Sequence, residues 1–157
     1  MPRIELRTEI KASKEIVFDL SQSIDLHKIS TEHTNETAIA GKTSGLIGMD
    51  ESVAWIAKHF GIYQKLTSKI TEFDRSNLFV DEMVKGAFKS FRHEHHFEDI
   101  NGGTLMTDYF DYESPFGILG KLADKLFLLN YMTDLLVERN RIVKDFAETD
   151  KWKKIVT

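Results

Sequence analysis

Two histidines occupy alternate positions, His93 and His95, in a segment whose composition is typical of a β-strand. Side chains at alternate strand positions point to the same face of a sheet, so the two imidazoles are predicted to lie side by side. Two acids, Asp81 and Asp108, fall in the strand-like segments before and after it. Imidazoles and carboxylates in contact can form buried ion pairs, exchange protons with a substrate, or ligate a metal ion.

The turn at Asn101 and Gly102 predicts which residues of two strands meet. This dipeptide is typical of a type I′ two-residue turn, which fixes the register of the strands on both sides. All residues paired in this way share one face of the sheet. The predicted pairs are Phe97 with Met106, His95 with Asp108, His93 with Phe110 and Phe91 with Tyr112.

The connection at residues 86–88 decides where the second acid lies. If both neighbouring strands keep their apolar faces inward, the connection needs one extra residue, which is a bulge, and Gly86 is suited to it. The bulge sets Asp81 beside His93 and Phe79 beside His95.

Two earlier turns extend the same face. A two-residue turn is predicted at Gly61 and Ile62, and a longer turn runs through residues 74–77. The pairs predicted from these turns are His59 with Gln64, Ala57 with Leu66, Trp55 with Ser68, Val53 with Ile70, Ile70 with Asp81 and Ser68 with Met83.

The four polar residues are therefore predicted to lie on an inward, largely apolar face. Because burying an unpartnered carboxylate is costly, Asp81, Asp108, His93 and His95 are best interpreted as two His–Asp couples. A cyclase or hydratase would use such couples as general acid and base, and a metal ion would use the two imidazoles with one acid. A structural hydrogen bond is the commonest role of a buried histidine, so we assign no catalytic residue, no metal and no cofactor.

The remaining pattern predicts an α+β fold. Residues 3–10 alternate apolar and charged side chains, as in a half-buried strand. Ser13 and Ser23 are predicted to cap two short helices, the second over residues 24–29. Six strand-like segments then occupy residues 33–112, and the glycine-rich residues 41–50 form a loop. His27 and His33 are expected at the surface.

A long helix is predicted after the strands, over residues 114–147. Ser114 can cap it and Pro115 is suited to its first position. Roughly 30 residues span about 45 Å, which is enough to cross the sheet. Tyr131 could contact a ligand beside the apolar stripe, which consists of Leu119, Leu122, Leu126, Leu129, Met132, Leu136 and Val143.

Composition narrows the classes of protein. The chain has 157 residues, of which 41% are hydrophobic and 29% charged, as expected for a single domain over residues 1–157. Without cysteine it has no thiolate metal site, disulfide or cysteine nucleophile. The net charge of -4 and the lack of a basic cluster argue against a nucleic-acid partner. Neither a membrane span nor a signal peptide is apparent, which predicts a cytoplasmic protein.

Six segments carry a resemblance to a known superfamily: residues 12–20 (ASKEIVFDL), 23–27 (SIDLH), 55–61 (WIAKHFG), 91–97 (FRHEHHF), 104–108 (TLMTD) and 111–117 (DYESPFG). These segments and the order of elements resemble the helix-grip fold of the SRPBCC, or START-like, superfamily, which includes birch-pollen-allergen-like, polyketide cyclase/dehydrase and lipid-transport families. The resemblance covers nearly the whole chain and is close to bacterial members of the superfamily. It implies a seven-stranded curved antiparallel sheet wrapped around a long C-terminal helix, with two short helices between strands 1 and 2.

These observations predict a protein that binds a hydrophobic or amphipathic small molecule, as a carrier or sensor, between the sheet and the long helix. One alternative is an enzyme that uses the His–Asp couples in the same cavity. Another is a co-chaperone-like protein-interaction module, which requires an exposed apolar patch that the sequence does not clearly show. The residues predicted to bind the ligand are Trp55, Leu66, Ile70, Phe79, Met83, Phe91, His93, His95, Met106, Asp108, Phe110, Tyr112, Leu122, Leu126 and Tyr131.

Overall fold

A computed structural model describes residues 2–156, so Met1 and Thr157 of the predicted domain lie outside the described residues. The described chain forms an antiparallel sheet in the order β1-β7-β6-β5-β4-β3-β2. Two short helices follow the first strand and a long helical segment follows the last, as predicted. The strands are β1 (Arg3–Ile10), β2 (Thr37–Gly41), β3 (Ser52–His59), β4 (Ile62–Asp74), β5 (Leu78–Lys85), β6 (Ser90–Ile100) and β7 (Gly103–Glu113).

The two short helices after β1 begin at capping residues that the sequence identifies. Helix α1 (Lys14–Gln22) starts after Ser13, whose hydroxyl accepts a hydrogen bond from the amide of Ile16 at 3.3 Å. Helix α2 (Ile24–Ser30) starts after Ser23, which accepts from the amide of Leu26 at 3.1 Å. A 3₁₀ turn, Glu32–Thr34, holds the exposed His33, so the strand run begins at Thr37 rather than at residue 33.

The predicted register of the central strands is confirmed. His95 pairs with Asp108 across β6 and β7, and Asp81 pairs with His93 across β5 and β6. Gly102 has a positive φ of 86°, whereas Asn101 is not in the positive-φ region, so the turn is not of type I′. The register survives this difference because the turn still contains two residues.

The predicted turn between β3 and β4 is wrong by one position. Phe60 and Gly61 occupy it, with φ values of 53° and 77°, and Trp55 therefore pairs with Leu66 rather than with Ser68. The strand register moves by two residues, which leaves every side chain on the predicted face because the strand repeat is also two. Trp55 and Leu66 thus still point inward.

The predicted long C-terminal helix is confirmed, but it begins at Ile118 rather than at residue 114 and contains a π-helical segment. Helix α3 (Ile118–Ala123) begins after Gly117, and a π-helical segment (Asp124–Leu128) separates it from α4 (Leu129–Glu148). One extra residue in a helical turn rotates the preceding side chains by about 100° relative to the following ones. Ser114 does not cap the helix, and its hydroxyl instead donates to the Asp124 carboxylate at 2.5 Å. The chain ends in a 3₁₀ turn (Asp150–Trp152) and a last helical turn, α5 (Lys153–Val156).

Two separate apolar clusters form the interior. In the first, α1 places Phe18 among Phe73, Phe79 and Phe97, with edge-to-face ring contacts of 5.0–5.6 Å, and the C-terminal part of α4 packs against it. The second surrounds Phe110 and includes residues of α4 near Met132. Within residues 2–156, no helix is both long enough and apolar enough to cross a membrane.

A substitution at Gly103 tests how closely β7 approaches the end of β1. A Cβ at this position would lie 2.2 Å from the Ile10 carbonyl oxygen, so Gly103→Ala should force the strands apart and lower the free energy of unfolding by about 2 kcal/mol. Urea denaturation measures this change. The control, Gly48→Ala, meets only the flexible Glu51 carboxylate at 3.3 Å and should change stability by less than about 0.5 kcal/mol. Equal stability of the two variants would contradict the described contact.

Candidate functional site

A cavity of about 600 Å³ lies between the sheet and the helical segment that follows it. Most of its lining is apolar, and two separate groups of its polar side chains contact one another. The cavity combines residues of both apolar clusters, so it interrupts the interior of the molecule. The predicted ligand-binding residues that line it are Trp55, Leu66, Ile70, Phe79, Phe91, His93, His95, Phe110 and Tyr131.

The other predicted ligand-binding residues do not line the cavity. Met106, Asp108 and Tyr112 are at most 1% exposed: Met106 belongs to the first apolar cluster, Tyr112 belongs to the second, and Asp108 is covered by Asn140 of α4. Leu122 and Leu126 are 53% and 65% exposed, because the π-helical segment turns them outward. Their places are taken by neighbours in the helix, Ala123 and Phe127, and Met83 packs beside the second cluster outside the lining.

The cavity has an apolar mouth. Phe60, in the β3–β4 turn, and Phe116, Leu119 and Phe127, near the start of the helical segment, line the cavity and are 49–83% exposed. The Phe60 ring contacts the rings of Phe127 and Tyr131 with centroids 5.4 Å and 4.4 Å apart. The structure thus shows an exposed apolar surface that the sequence did not make clear. Other apolar residues close to these in the chain are also exposed: Ile62, Tyr63, Ile118, Leu122 and Leu126.

The structure brings together the four polar residues that the register predicts, in a group we call the His–Asp cluster: Asp81, His93, His95 and Asp108. His93 Nε2 lies 2.9 Å from Asp108 Oδ1, and His95 Nε2 lies 2.7 Å from Asp81 Oδ1. Each histidine is therefore bonded to the acid diagonally across from it, rather than to the acid directly opposite. Except for Asp108, these residues line the cavity.

Helix α4 completes the cluster from the other side. Asn140 donates to Asp108 Oδ2 at 2.8 Å, and the Arg139 guanidinium lies 3.5 Å from Asp108 Oδ1. Arg139 was not among the residues predicted for the site, although it lies on the cavity wall and is only 7% exposed. Arg139 lies three residues after Leu136 and four before Val143, so it occupies a position in the apolar stripe of the long helix. A charged residue at such a position was the sequence signal that could have placed Arg139 in the site.

Burial and pairing shift the protonation of the cluster in known directions. Burial would raise the pKa of the Asp108 carboxyl, but the hydrogen bond from His93, the close His95 ring and the charge of Arg139 outweigh it and hold that pKa well below its ordinary value. Burial would likewise raise the pKa of Asp81, but the hydrogen bond from His95 outweighs it, so that the pKa of Asp81 is also lowered. Burial, and then the neighbouring His95, lower the pKa of His93. At neutral pH the cluster therefore holds two carboxylates and an uncharged His93.

A second polar group lines another part of the cavity. His27 Nε2 lies 2.5 Å from Glu36 Oε1, and the His27 ring contacts Trp55 with centroids 4.6 Å apart. His59 Nδ1 and the Tyr131 hydroxyl are 2.6 Å apart, which joins the end of β3 to α4. His27 therefore lines the cavity, while its side chain is also 38% exposed, in line with the expected surface position. Nothing in the spacing of these residues along the chain indicates that they meet.

No family model matches the sequence, and no curated protein matches it. Solved structures do match. TTHA0849 from Thermus thermophilus has a TM-score of 0.71 at 21% identity, over 90% of this chain and 97% of that one. Ginseng major latex-like protein 151 from Panax ginseng has a TM-score of 0.68 at 17% identity, over 94% and 98%.

A third similar structure is the di-domain ARO/CYC StfQ from the steffimycin biosynthetic pathway, with a TM-score of 0.74 at 12% identity. The match covers 93% of this chain and 50% of that one. At these identities the similarity establishes the fold. The chain therefore has the predicted helix-grip fold.

Replacing His93 by Gln removes a group that the folded protein keeps uncharged. Its folded pKa is lowered, so below about pH 6.5 the unfolded chain binds a proton that the folded chain does not, and stability falls as pH falls. One such residue contributes up to about 1.4 kcal/mol per pH unit. The free energy of unfolding should therefore fall less in His93→Gln than in the parent when the pH is lowered from about 7 to about 5, and urea denaturation measures this difference.

The matched control is His96→Gln, on the outer face of the same strand, where His96 pairs with Glu94 at 2.9 Å. His59, whose pKa is lowered by burial, remains in all three proteins and contributes equally to each. If the parent and His93→Gln lose stability with the same slope, the imidazole at position 93 is not kept uncharged by the fold.

Proposed function

We propose that this protein binds a hydrophobic or amphipathic small molecule in the cavity between the sheet and the helical segment, as a carrier or sensor. The observation that carries the proposal is the cavity itself, whose volume of about 600 Å³ lies within the range of small-molecule sites. If this space served only as part of the structural core, side chains would fill it, because protein interiors are close-packed. As the sequence suggests, we also propose that the protein is cytoplasmic and does not bind nucleic acid.

The mouth supports an apolar ligand. Phe60, Phe116, Leu119 and Phe127 offer apolar side chains both to solvent and to the cavity, so a ligand that leaves water meets apolar surface along its path. Phe116 and Gly117 have positive φ values of 67° and 54°, which places an irregular backbone where the helical segment begins. Movement of this segment would widen the entrance.

The polar groups support an amphipathic ligand. Asp81, His95 and Arg139 in one part of the lining, and His59 and Tyr131 in another, offer hydrogen bonds to polar atoms of a bound molecule. A few polar groups in an apolar pocket are what fixes the orientation of a ligand. Several of these groups already satisfy one another, so a ligand without polar atoms would also be accepted.

The enzyme alternative rests on the geometry of the His–Asp cluster. His93 and His95 face the cavity and each is oriented by a carboxylate, which is the arrangement of a general base. In a cyclase or hydratase of this kind, Asp108→Asn would reduce turnover while leaving substrate binding nearly unchanged. In a carrier the same substitution would reduce stability alone.

The protein-interaction alternative rests on the exposed apolar surface. Part of that surface lines the cavity and part of it, such as Ile118 at 84% exposure, does not. A partner protein would use both parts, whereas a small ligand would use the cavity. Substitutions in the two parts therefore separate these functions.

Ligand binding is testable with Trp55 as an internal reporter. The chain has two tryptophans, and Trp152→Phe leaves only Trp55, which lines the cavity. An anilinonaphthalene sulfonate probe should quench Trp55 by energy transfer and bind with roughly micromolar affinity, about -8 kcal/mol. Phe110→Asn, which places an amide in the cavity wall, should weaken binding by about 10-fold or more. A long-chain fatty acid should displace the probe.

Ile118→Ser is the matched control, because Ile118 is exposed outside the cavity, and it should leave probe affinity unchanged. Binding that depends on Ile118 and not on Phe110 would instead favour the interaction module. Absence of any Trp55 quenching would falsify the carrier proposal.

A further inference from the structure

We propose that Asp81, His93 and His95 form a binding site for a divalent transition-metal ion in the wall of the cavity. Each of the three offers one ligand atom, and these atoms lie within 4.8 Å of one another. The sequence favoured a purely structural role for the two histidines. The orientation of their rings, which no sequence pattern shows, supports the metal site.

The two rings share a carboxylate on their far side. His93 Nε2 and His95 Nδ1 lie 2.9 Å and 3.2 Å from the same atom, Asp108 Oδ1. The opposite nitrogens, His93 Nδ1 and His95 Nε2, lie 4.0 Å and 2.7 Å from Asp81 Oδ1. A histidine that ligates a metal usually donates its other ring N–H to a carboxylate, and Asp108 is placed to serve both rings in that way.

His95 Nδ1 lacks a hydrogen-bond partner within residues 2–156, and an ion bound at the other ring nitrogen would allow it to gain one. His95 Nδ1 is buried and has no hydrogen-bond partner among the described residues, because its contact with Asp108 lies outside hydrogen-bond geometry while the Nε2–H donates to Asp81. An ion between Asp81 and His95 Nε2 would replace that hydrogen bond, and the ring proton would reside on Nδ1. A small rotation of the ring then lets Nδ1–H donate to Asp108 Oδ1.

The rings are held in place for such a site. The Phe79 ring stacks on His95 with centroids 4.0 Å apart, and the Phe110 ring meets the edge of His93 at 5.2 Å. Asn140 fixes the Asp108 carboxylate from α4 at 2.8 Å. Ligands that are oriented before the ion arrives lose little freedom on binding it.

Charge also favours a cation. Arg139 is the only arginine or lysine in contact with the two carboxylates, Asp81 and Asp108, among the contacts of the described residues, so a bound cation would add positive charge opposite the carboxylate of Asp81. Two imidazole nitrogens and one carboxylate oxygen are a ligand set that zinc accepts, with a further position left open. All three ligands line the cavity, so the open position faces it. This site goes beyond the proposed function and does not depend on it.

The test titrates chelator-treated protein with zinc in a calorimeter, without any small molecule. We expect one ion per chain at micromolar or tighter affinity. Asp81→Asn and His95→Gln should each weaken binding by about 100-fold or more, and Asp108→Asn, which acts only through the rings, by about 10- to 100-fold. Cobalt should give visible absorption in the parent that Asp81→Asn abolishes.

The matched controls are His96→Gln and Glu94→Gln, which remove a His–carboxylate pair at 2.9 Å on the outer face of the same strand, and both should bind zinc like the parent. Nitrogen-15 NMR of the parent gives a readout that needs no variant: zinc should move the His95 proton from Nε2 to Nδ1. Absence of stoichiometric binding, or loss of binding in His27→Gln but not in His95→Gln, would overturn the proposal. Probe binding by chelator-treated protein tests the proposed function separately.

Discussion

The buried carboxylate of Asp108 is the group on which the arrangement of the site depends. At 1% exposure it cannot remain ionised without partners, and it obtains them from both layers of the molecule: His93 and His95 from β6, and Arg139 and Asn140 from α4. These contacts fix the distance between α4 and the sheet at this point. Beyond it, toward the start of the helical segment, the cavity begins, and side chains meet again across it where His59 contacts Tyr131 and Phe60 contacts Phe127.

The π-helical segment decides which residues border that cavity. Without its extra residue, Leu122 and Leu126 would continue the apolar stripe of α4 inward. With it, Ala123 faces the cavity, Phe127 stands at its mouth, and the two leucines add to an exposed apolar surface. A single irregular turn therefore shapes both a ligand path and a candidate contact surface, which is why the carrier and interaction interpretations share residues.

The sequence predicted the parts of the fold that local rules govern. The Asn101–Gly102 turn and the inward apolar faces of β5 and β6 predicted the register that joins the His–Asp cluster, although residues 86–89 form a connecting loop rather than a bulge, and capping serines predicted the starts of α1 and α2. It failed where several conformations satisfy the same pattern, as in the turn at Phe60 and Gly61, where a shift of two residues leaves all faces unchanged. It also missed the π-helical segment, since hydrophobic periodicity assumes a uniform helix.

The site was predictable only in part for a related reason. The cluster residues on neighbouring strands follow from register, but His27 meets Trp55, and His59 meets Tyr131, through the packing of separate elements. The cavity also divides the interior into two apolar clusters. The start of the helical segment, from Ile118, which borders the cavity, therefore packs against little apolar surface. Such a segment opens locally at a lower free energy than the rest of the chain and exposes its backbone first to proteases. A bound molecule would act as the missing part of the interior, so occupancy and resistance to degradation would rise together.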